Sequence, residues 1–434
     1  MEVTTQVGTA HRTRLAAISA AGLLAALAAC GSSSTSGGGA TSGAIKTGPG
    51  VDASTKTITT AIITPLSGQV AIIGKPLTAG QEAYFQAVNA KGGVDGWKIN
   101  YVEKDDQYNP QTHVQLYNEV VGSSAFIAQS LGSPTTKAIE PLADQAHVLT
   151  AAVAQSSSFT TDPVMIVIGT PYSIDVANSL SYIVDKLGKR DAKIGIIYQN
   201  DEYGQDGLRG YTAAHDASHF NDVARATYNV TDTDFTAQVV QMKNAGAQYV
   251  IVNAVPKPAA TIVGTGAAIG YFPQWVFLGP AWSEYLMTDN GTLTGKPTQV
   301  NQVLAKTVWV MGYQPDWGDT TAAGMTPFLA DQQKYSPAQA PDYYFMYGYT
   351  MAQVEVAILK KAIESGDLTR DGLLNARKNL GHFSFGGLLP DLTYTPSLGP
   401  ADRQTLIKKV DVTVPAFLKT IQPLFESNAA KTLK

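Results

Sequence analysis

The sequence predicts an α/β protein made of two doubly wound domains, and three observations support that prediction. From residue 57 onward, short β-branched segments alternate with segments of helical length, as in parallel sheets covered by helices on both faces. The alternation begins again near residue 190, where GKRDAKIGIIYQNDEYG starts what reads as a second sheet. Beyond the N-terminal segment, about 400 residues remain, which is enough for two substantial cores.

The individual elements follow from periodicity. Strands are predicted where short β-branched runs lie between turn signals, and helices where apolar residues recur at spacings of three and four. The predicted strands are 57–64, 97–104, 124–130, 147–152, 193–198, 249–253 and 275–278. The predicted helices are 76–90, 110–121, 173–187, 235–247, 258–270 and 342–363. The last helix is the longest, and we interpret its Tyr, Phe and Met residues as core rather than as a ligand-binding stripe.

The N-terminal segment is typical of an export signal. A short basic stretch precedes the uncharged run 15–29, whose length as a helix is about 22 Å, less than the ~30 Å hydrocarbon core of a bilayer. A permanent membrane span is therefore not predicted here. The sequence LAAC at 27–30 resembles the lipobox of bacterial lipoproteins, which implies removal of 1–29 and lipidation of Cys30. The alternative is an ordinary signal peptide that leaves a free thiol.

Composition restricts the remaining possibilities. Residues 30–56 are predicted to be the lipidated cysteine and a flexible tether, because their Ser and Gly content cannot bury a core. The net charge of −4 without a long basic run argues against nucleic acid as a partner. Cys30 is the only cysteine, so an internal disulfide and a Cys-based zinc or iron–sulfur site are excluded. No cofactor is predicted.

Catalytic motifs give little support for an enzyme. The chain has no G-x-S-x-G, H-E-x-x-H or G-x-x-x-x-G-K-[ST], and the glycines of 264–270 fall late in a helical segment. His215 and His219 are four residues apart and could hold a metal, but without an evident third ligand a solvated helix face is predicted. Asp105 and Asp106 are interpreted as a structural turn, with paired acid–base carboxylates as the alternative. A non-enzyme is therefore predicted.

Candidate ligand contacts lie where the strands end. Ligands of open parallel sheets bind outside the carboxyl ends of the strands. The segments after the predicted strands are 65–68, 130–134, 152–155, 201–204, 253–256 and 279–282. Their small residues can expose N–H groups at helix N-termini, which suits a carboxylate, while Tyr203 and Trp282 offer rings that can flank an apolar body. The alternative is a set of ordinary turns.

Two segments carry a family resemblance. Residues 63–114 contain the PLSG turn, the segment NAKGGVDG and the D-D…P spacing in that order, and 196–207 reads IIYQNDEYGQDG. Over 57–410 the chain resembles the leucine/isoleucine/valine-type periplasmic binding proteins. The resemblance implies two Rossmann-like lobes joined by a three-crossing hinge that close on a ligand, and a role as solute receptor of an ABC importer.

The resemblance also implies domain boundaries. The chain is expected to cross between lobes near 168–174, 308–313 and 384–390. The expected divisions are 1–29 as signal peptide, 30–56 as anchor and tether, 57–170 with 311–386 as lobe 1, and 171–310 with 387–434 as lobe 2.

The family's ligand positions map onto this sequence with several departures. The positions implied are Ile73, Ser130, Gly132, Ser133, Ala152, Ala154, Tyr203, Val255, Ala281 and Trp282. Ser133 and Gly132 fall where the family binds the ligand carboxylate. Ala281 and Val255 replace an acid and a Tyr that hold an ammonium, unless a slip in register brings in Ser156 or Glu284. The disulfide of some members is absent, at Tyr108 and Leu131.

The resulting expectation is an extracytoplasmic lipoprotein that delivers a small molecule to the subunits of an ABC permease. The ligand class is branched-chain amino acid, amide or organic acid. The departures favour a small organic acid or amide with an apolar or aromatic body between Tyr203 and Trp282, and free leucine or valine is expected to bind weakly. A sensor module read by a partner signalling protein and a surface enzyme on the same fold are the alternatives.

Overall fold

The computed structural model describes residues 44–395 and 402–433, so the predicted signal peptide and Cys30 lie outside the described residues. Within them, the strands β1 to β17 are, in chain order, Lys46–Thr47, Val51–Asp52, Thr57–Thr64, Lys98–Asp105, Ile127–Leu131, Thr150–Val153, Met165–Ile166, Lys193–Gln199, Asn221–Tyr228, Tyr249–Asn253, Gln274–Phe277, Val308–Gly312, Asp367–Leu368, Gly381–Phe383, Leu392–Tyr394, Thr405–Val410 and Leu418–Phe425.

The helices α1 to α13 of the same residues are Ala71–Ala90, Pro110–Val120, Ser133–Ala146, Ser157–Thr160, Tyr172–Ser181, Glu202–Ser218, Thr236–Ala245, Pro256–Ala268, Asn301–Thr307, Met325–Tyr335, Tyr343–Glu364, Arg370–Lys378 and Asn428–Thr432. A π-helical turn, Tyr182–Lys186, extends α5, and single 3₁₀ turns occur at Val121–Ser123, Gly279–Ala281, Glu284–Leu286 and Pro415–Phe417.

The described residues form two large sheets, one in each lobe, and two separate two-stranded pairs, β1 with β13 and β14 with β15. In the first lobe β3 pairs in parallel with β4 and β5, β6 and β7 follow in parallel, and β2 is antiparallel to β3. In the second lobe the order is β17-β16-β12-β11-β10-β8-β9, with β16 and β17 antiparallel to an otherwise parallel sheet. This arrangement confirms the predicted α/β class with two lobes.

The longest helix, α11, is held against α1 by very close backbone contact. A Cβ on Gly80 would lie 1.9 Å from the Phe345 carbonyl oxygen, and one on Gly348 would lie 1.9 Å from the Leu77 carbonyl oxygen. Only glycine fits at these two points. Asp342 caps the helix, because its Oδ1 accepts the N–H groups of Tyr344 and Phe345 at 2.7 and 3.1 Å. The start of α11 is thereby fixed between the lobes.

Two predicted boundaries differ from the structure. The tether was expected to run to residue 56, but β1 pairs with β13 and β2 pairs with β3, so the described part of that segment belongs to the folded body. Ile45 and Val51 pack against the first-lobe core, which explains why this stretch is ordered. The third crossing was expected at 384–390, yet Leu388, Leu392 and Tyr394 still pack in the first-lobe core.

The chain is therefore still part of lobe 1 at Tyr394 and belongs to the second sheet at β16. The reason is the hairpin of β14 and β15, whose strands add apolar side chains to lobe 1 before the chain leaves it. In the described part of the chain, no helix has the length and apolar character needed to cross a membrane.

Candidate ligand-binding site

A cavity lies between the two lobes at the carboxyl ends of their parallel strands. It contains about 980 Å³ of empty space, including its open mouth. The first lobe contributes mainly apolar side chains, namely Val70, Ile73, Leu77, Leu131 and Val153. The second lobe contributes the loops that carry Tyr203, Val255 and Trp282. The predicted location of the site at the strand ends agrees with this geometry.

Six of the ten predicted ligand residues line this cavity, and four do not. Those that line it are Ile73, Gly132, Ser133, Tyr203, Val255 and Trp282. Those outside the lining are Ser130, Ala152, Ala154 and Ala281, all fully buried. The alternatives from a slipped register, Ser156 and Glu284, are also fully buried and outside the lining. The role of each residue in binding stays a prediction.

Gly132 and Ser133 form the turn from β5 into α3. Gly132 has φ +105°, and a Cβ there would lie 2.4 Å from the Tyr108 ring, so this turn requires glycine. Its N–H donates to the Val153 carbonyl at 3.1 Å and is not free for a ligand. The Ser133 hydroxyl and the Trp282 indole N–H are buried without hydrogen-bond partners among the described residues. A polar ligand would satisfy both groups.

Ser130 takes part in a Ser–His–Asp chain of hydrogen bonds. His113 Nδ1 lies 2.6 Å from Asp106 Oδ2, and its Nε2 lies 2.9 Å from Ser130 Oγ. In a hydrolase such a chain ends at an accessible nucleophile beside oxyanion donors. Here all three residues are 0 % exposed and outside the cavity lining, and Ser130 Oγ also bonds Thr136 Oγ1 at 2.8 Å. The chain satisfies buried polar groups and offers a substrate no access.

Asp105 and Asp106 fix the loops around them, which confirms the predicted structural turn. Asp105 accepts the N–H of Leu66 at 2.9 Å and the hydroxyl of Ser67 at 2.6 Å, and so holds the PLSG turn at the cavity mouth. Asp106 accepts the N–H of Tyr108 at 2.9 Å. In residues 44–395 and 402–433 no group of three His, Cys, Asp or Glu side chains is placed to hold a metal ion.

Tyrosines form much of the polar lining. Tyr108, Tyr172, Tyr203, Tyr313, Tyr343, Tyr344 and Tyr347 all border the cavity. Burial raises the pKa of each hydroxyl, so each keeps its proton. Tyr344 donates to the carbonyls of Pro280 and Trp282 at 3.1 and 2.8 Å, which fixes the loop that presents the indole.

The first turn of α11 differs from the prediction that the Tyr, Phe and Met residues of this helix belong to the core. Phe345, Met346 and Met351 are fully buried in the first-lobe core, as predicted. Tyr343 and Tyr344 instead border the cavity, because the helix begins at Tyr343 and its first turn faces the other lobe. The sequence signal for this is the capping Asp342, which marks where the helix starts.

Two ionisable side chains that sequence reasoning missed border the cavity. The Asp175 Oδ1 accepts the Thr405 hydroxyl at 2.5 Å, and burial raises the pKa of Asp175 well above its usual value. Lys408 lies on β16 with its Nζ 2.7 Å from Asp316 Oδ1 and 3.1 Å from the Tyr343 hydroxyl. The cavity is thus apolar with one buried cation among its described lining residues.

Two α/β lobes around a cavity built from strand-end loops are the architecture of a bilobed solute-binding protein. The family model described as periplasmic binding protein matches residues 57–411. The chain therefore belongs to the periplasmic binding protein family, a family of solute-binding proteins rather than enzymes.

Curated relatives support this assignment. The Leu/Ile/Val-binding protein of Escherichia coli (strain K12) is 25% identical over 259 residues, which cover 57% of this chain and 70% of the relative. The Leu/Ile/Val-binding protein of Citrobacter freundii is 26% identical over 268 residues, covering 58% and 70%. The predicted resemblance to Leu/Ile/Val-type binding proteins is confirmed.

Solved structures give the same fold. A fatty acid ABC transporter substrate-binding protein from Thermomonospora curvata has a TM-score of 0.82 and 28% identity, over 89% of this chain and 96% of that one. A branched chain amino acid ABC transporter from Thermus thermophilus with bound valine has a TM-score of 0.74 at 16% identity, over 87% and 98%. The second likeness concerns the fold alone.

Proposed function

We propose that this chain is the extracytoplasmic receptor of an ABC importer and that its ligand is a small organic acid or amide with an apolar or aromatic body. The observation that carries the proposal is the composition of the cavity, which combines aliphatic side chains, protonated tyrosines and Lys408. An ammonium buried without a counter-charge costs several kcal/mol. Asp175 is the one carboxyl group among the described lining residues, and burial raises its pKa well above the usual value, which makes it a poor counter-charge for an ammonium.

The comparisons support an apolar acid as ligand. The fatty acid ABC transporter substrate-binding protein from Thermomonospora curvata is 28% identical with a TM-score of 0.82, whereas the valine-bound structure is only 16% identical. We place the body of the ligand between Tyr203 and Trp282. Beside it we propose the predicted contacts that also border the cavity, namely Ile73, Gly132, Ser133 and Val255.

A ligand screen tests this proposal. Purified protein is freed of co-purified ligand by unfolding and refolding and then heated with apolar carboxylates, their amides, aromatic acids, leucine and valine. A ligand at 100 times its Kd stabilises the folded state by about 2.7 kcal/mol, so binders raise the melting temperature clearly. We expect apolar acids or amides to bind and leucine and valine to bind weakly or not at all. Micromolar binding of leucine that Glu284→Gln abolishes would instead show the ordinary family specificity.

We also propose that Cys30 is lipidated and holds the protein at the outer face of the cell membrane, where it serves the permease. Its support is the lipobox-like LAAC at 27–30. The Cys30→Ser variant is expected to be released from the membrane or to remain uncleaved, because no other cysteine can carry the lipid. Cell fractionation and mass spectrometry of the N-terminus measure this. A Cys30→Ser protein that matures normally and stays with membranes would contradict it.

A further inference from the structure

We propose that Lys408 and Tyr343 form a receptor for the carboxylate of the ligand, so that the cavity prefers apolar monocarboxylates to the matching uncharged amides. The inference rests on the proposed function and adds to it a chemical class and two residues that the family resemblance does not assign. The geometry that supports it is the buried ammonium of Lys408 at the cavity wall, which donates only two of its three N–H groups to protein partners.

Lys408 is buried by its position in the second sheet. Strand β16 lies between β12 and β17, and the Lys408 side chain is only 3% exposed. An ammonium carries three N–H donors. Two of them meet Asp316 Oδ1 at 2.7 Å and the Tyr343 hydroxyl at 3.1 Å, both among the described residues. The third N–H is available to the cavity that Lys408 borders.

Tyr343 supplies a second donor at the same place. Its hydroxyl oxygen accepts from Lys408, so its own proton remains available for another acceptor. Burial raises the pKa of this hydroxyl well above 10, and the proton is therefore present at every physiological pH. An ammonium N–H and a phenolic O–H, adjacent and both at the cavity wall, match the two oxygens of a carboxylate.

The protein leaves this ammonium short of negative charge. Asp316 is its ion-pair partner, and Lys419 also lies 3.5 Å from Asp316 Oδ2, so this carboxylate is shared by two lysines, while Asp319 has only a smaller effect on the pKa of Lys408. Desolvation lowers the pKa of Lys408 to about 8 even though Asp316 acts in the opposite direction. Burial raises the pKa of Asp175, also at the cavity, and so disfavours a negative charge there. A ligand carboxylate would supply the missing counter-charge.

Calorimetry with octanoate and octanamide tests the proposal, because the two probes share a chain and differ in charge. We expect wild-type protein to bind octanoate more tightly by on the order of 10- to 100-fold. Lys408→Met should remove that preference while leaving octanamide binding within a few-fold, and Tyr343→Phe should reduce the preference. Lys419→Met is the matched control, since it removes a positive charge from the same carboxylate at a half-exposed position outside the cavity, and it should keep the preference.

The outcomes separate this proposal from the broader one. Equal affinity of wild-type protein for both probes would overturn the carboxylate receptor and leave the proposed function intact, and this comparison needs no variant to fold. A preference for octanoate that survives Lys408→Met but disappears in Ser133→Ala would place the ligand carboxylate at the start of α3. That result would also overturn the carboxylate receptor at Lys408. Failure of every acid and amide in the ligand screen would overturn both proposals.

Discussion

Glu284 and Asp342 are two carboxyl groups buried side by side next to the loop that carries Trp282. Both are 0 % exposed, and Glu284 Oε1 accepts the Tyr343 N–H at 3.1 Å. Desolvation raises the pKa of Asp342 to about 7, and desolvation together with the charge of Asp342 raises the pKa of Glu284 well above its usual value. The pair therefore retains protons near neutrality that an unfolded chain would release.

This pair makes stability depend on pH with a definite sign. Because the folded state binds more protons, the contribution of this pair to the free energy of unfolding is fully present below about pH 4 and is lost as the pH rises through about 7. In Glu284→Gln the amide mimics the protonated acid and cannot lose a proton. We therefore expect the free energy of unfolding to fall less steeply with pH than in wild type. At pH 8 the variant should be more stable than wild type by on the order of 1–2 kcal/mol. Urea unfolding across this pH range measures it, with exposed Glu364→Gln as control. Equal slopes for wild type and Glu284→Gln would contradict the prediction.

At the scale of elements, the strands were the most predictable part of the fold. The strands β3 and β10 have the bounds predicted for them, 57–64 and 249–253. Short β-branched runs between turn signals are compatible with few structures other than a buried strand. Helix starts were less predictable. Helix α1 begins at Ala71 rather than at Pro76, since a proline favours a first turn but here lies inside the helix.

The cavity was predictable only where it follows the strand ends. Ser130 and Ser133 are close in sequence, yet β5 runs through Leu131 and points Ser130 into the core while Ser133 reaches the cavity. Successive side chains along a strand point to opposite faces of the sheet. An error of one residue in the predicted end of β5 therefore changes which serine is expected to face the ligand. Lys408 could not be found this way, because it lies inside β16 rather than in a loop after a strand, and its burial depends on both neighbouring strands.

At the scale of the whole molecule, the two lobes are joined by a hydrogen bond outside the cavity lining. Gln69, in the loop before α1, donates its side-chain N–H to the Val230 carbonyl after β9 at 2.6 Å. Val230 also packs against the first-lobe core. Gln69 is outside the lining of the cavity, so this contact joins the lobes without touching the space for a ligand. If the lobes separate to admit a ligand, as we propose, this contact is expected to break and to form again on closure.

Removing that contact should weaken ligand binding only by lowering the fraction of protein in the closed form, because Gln69 does not line the cavity. One hydrogen bond contributes about 0.5–1.5 kcal/mol, so Gln69→Ala should raise the apparent Kd for octanoate by roughly 2- to 10-fold, because apparent affinity scales with the closed fraction. Small-angle scattering should show the variant more extended than wild type at subsaturating octanoate and equally compact at saturation. Gln115→Ala, on the exposed face of α2, should match wild type in both measurements.

If Gln69→Ala bound octanoate with unchanged affinity, closure would not depend on this contact. If wild-type protein did not become more compact with saturating octanoate, ligand binding would not proceed by lobe closure at all.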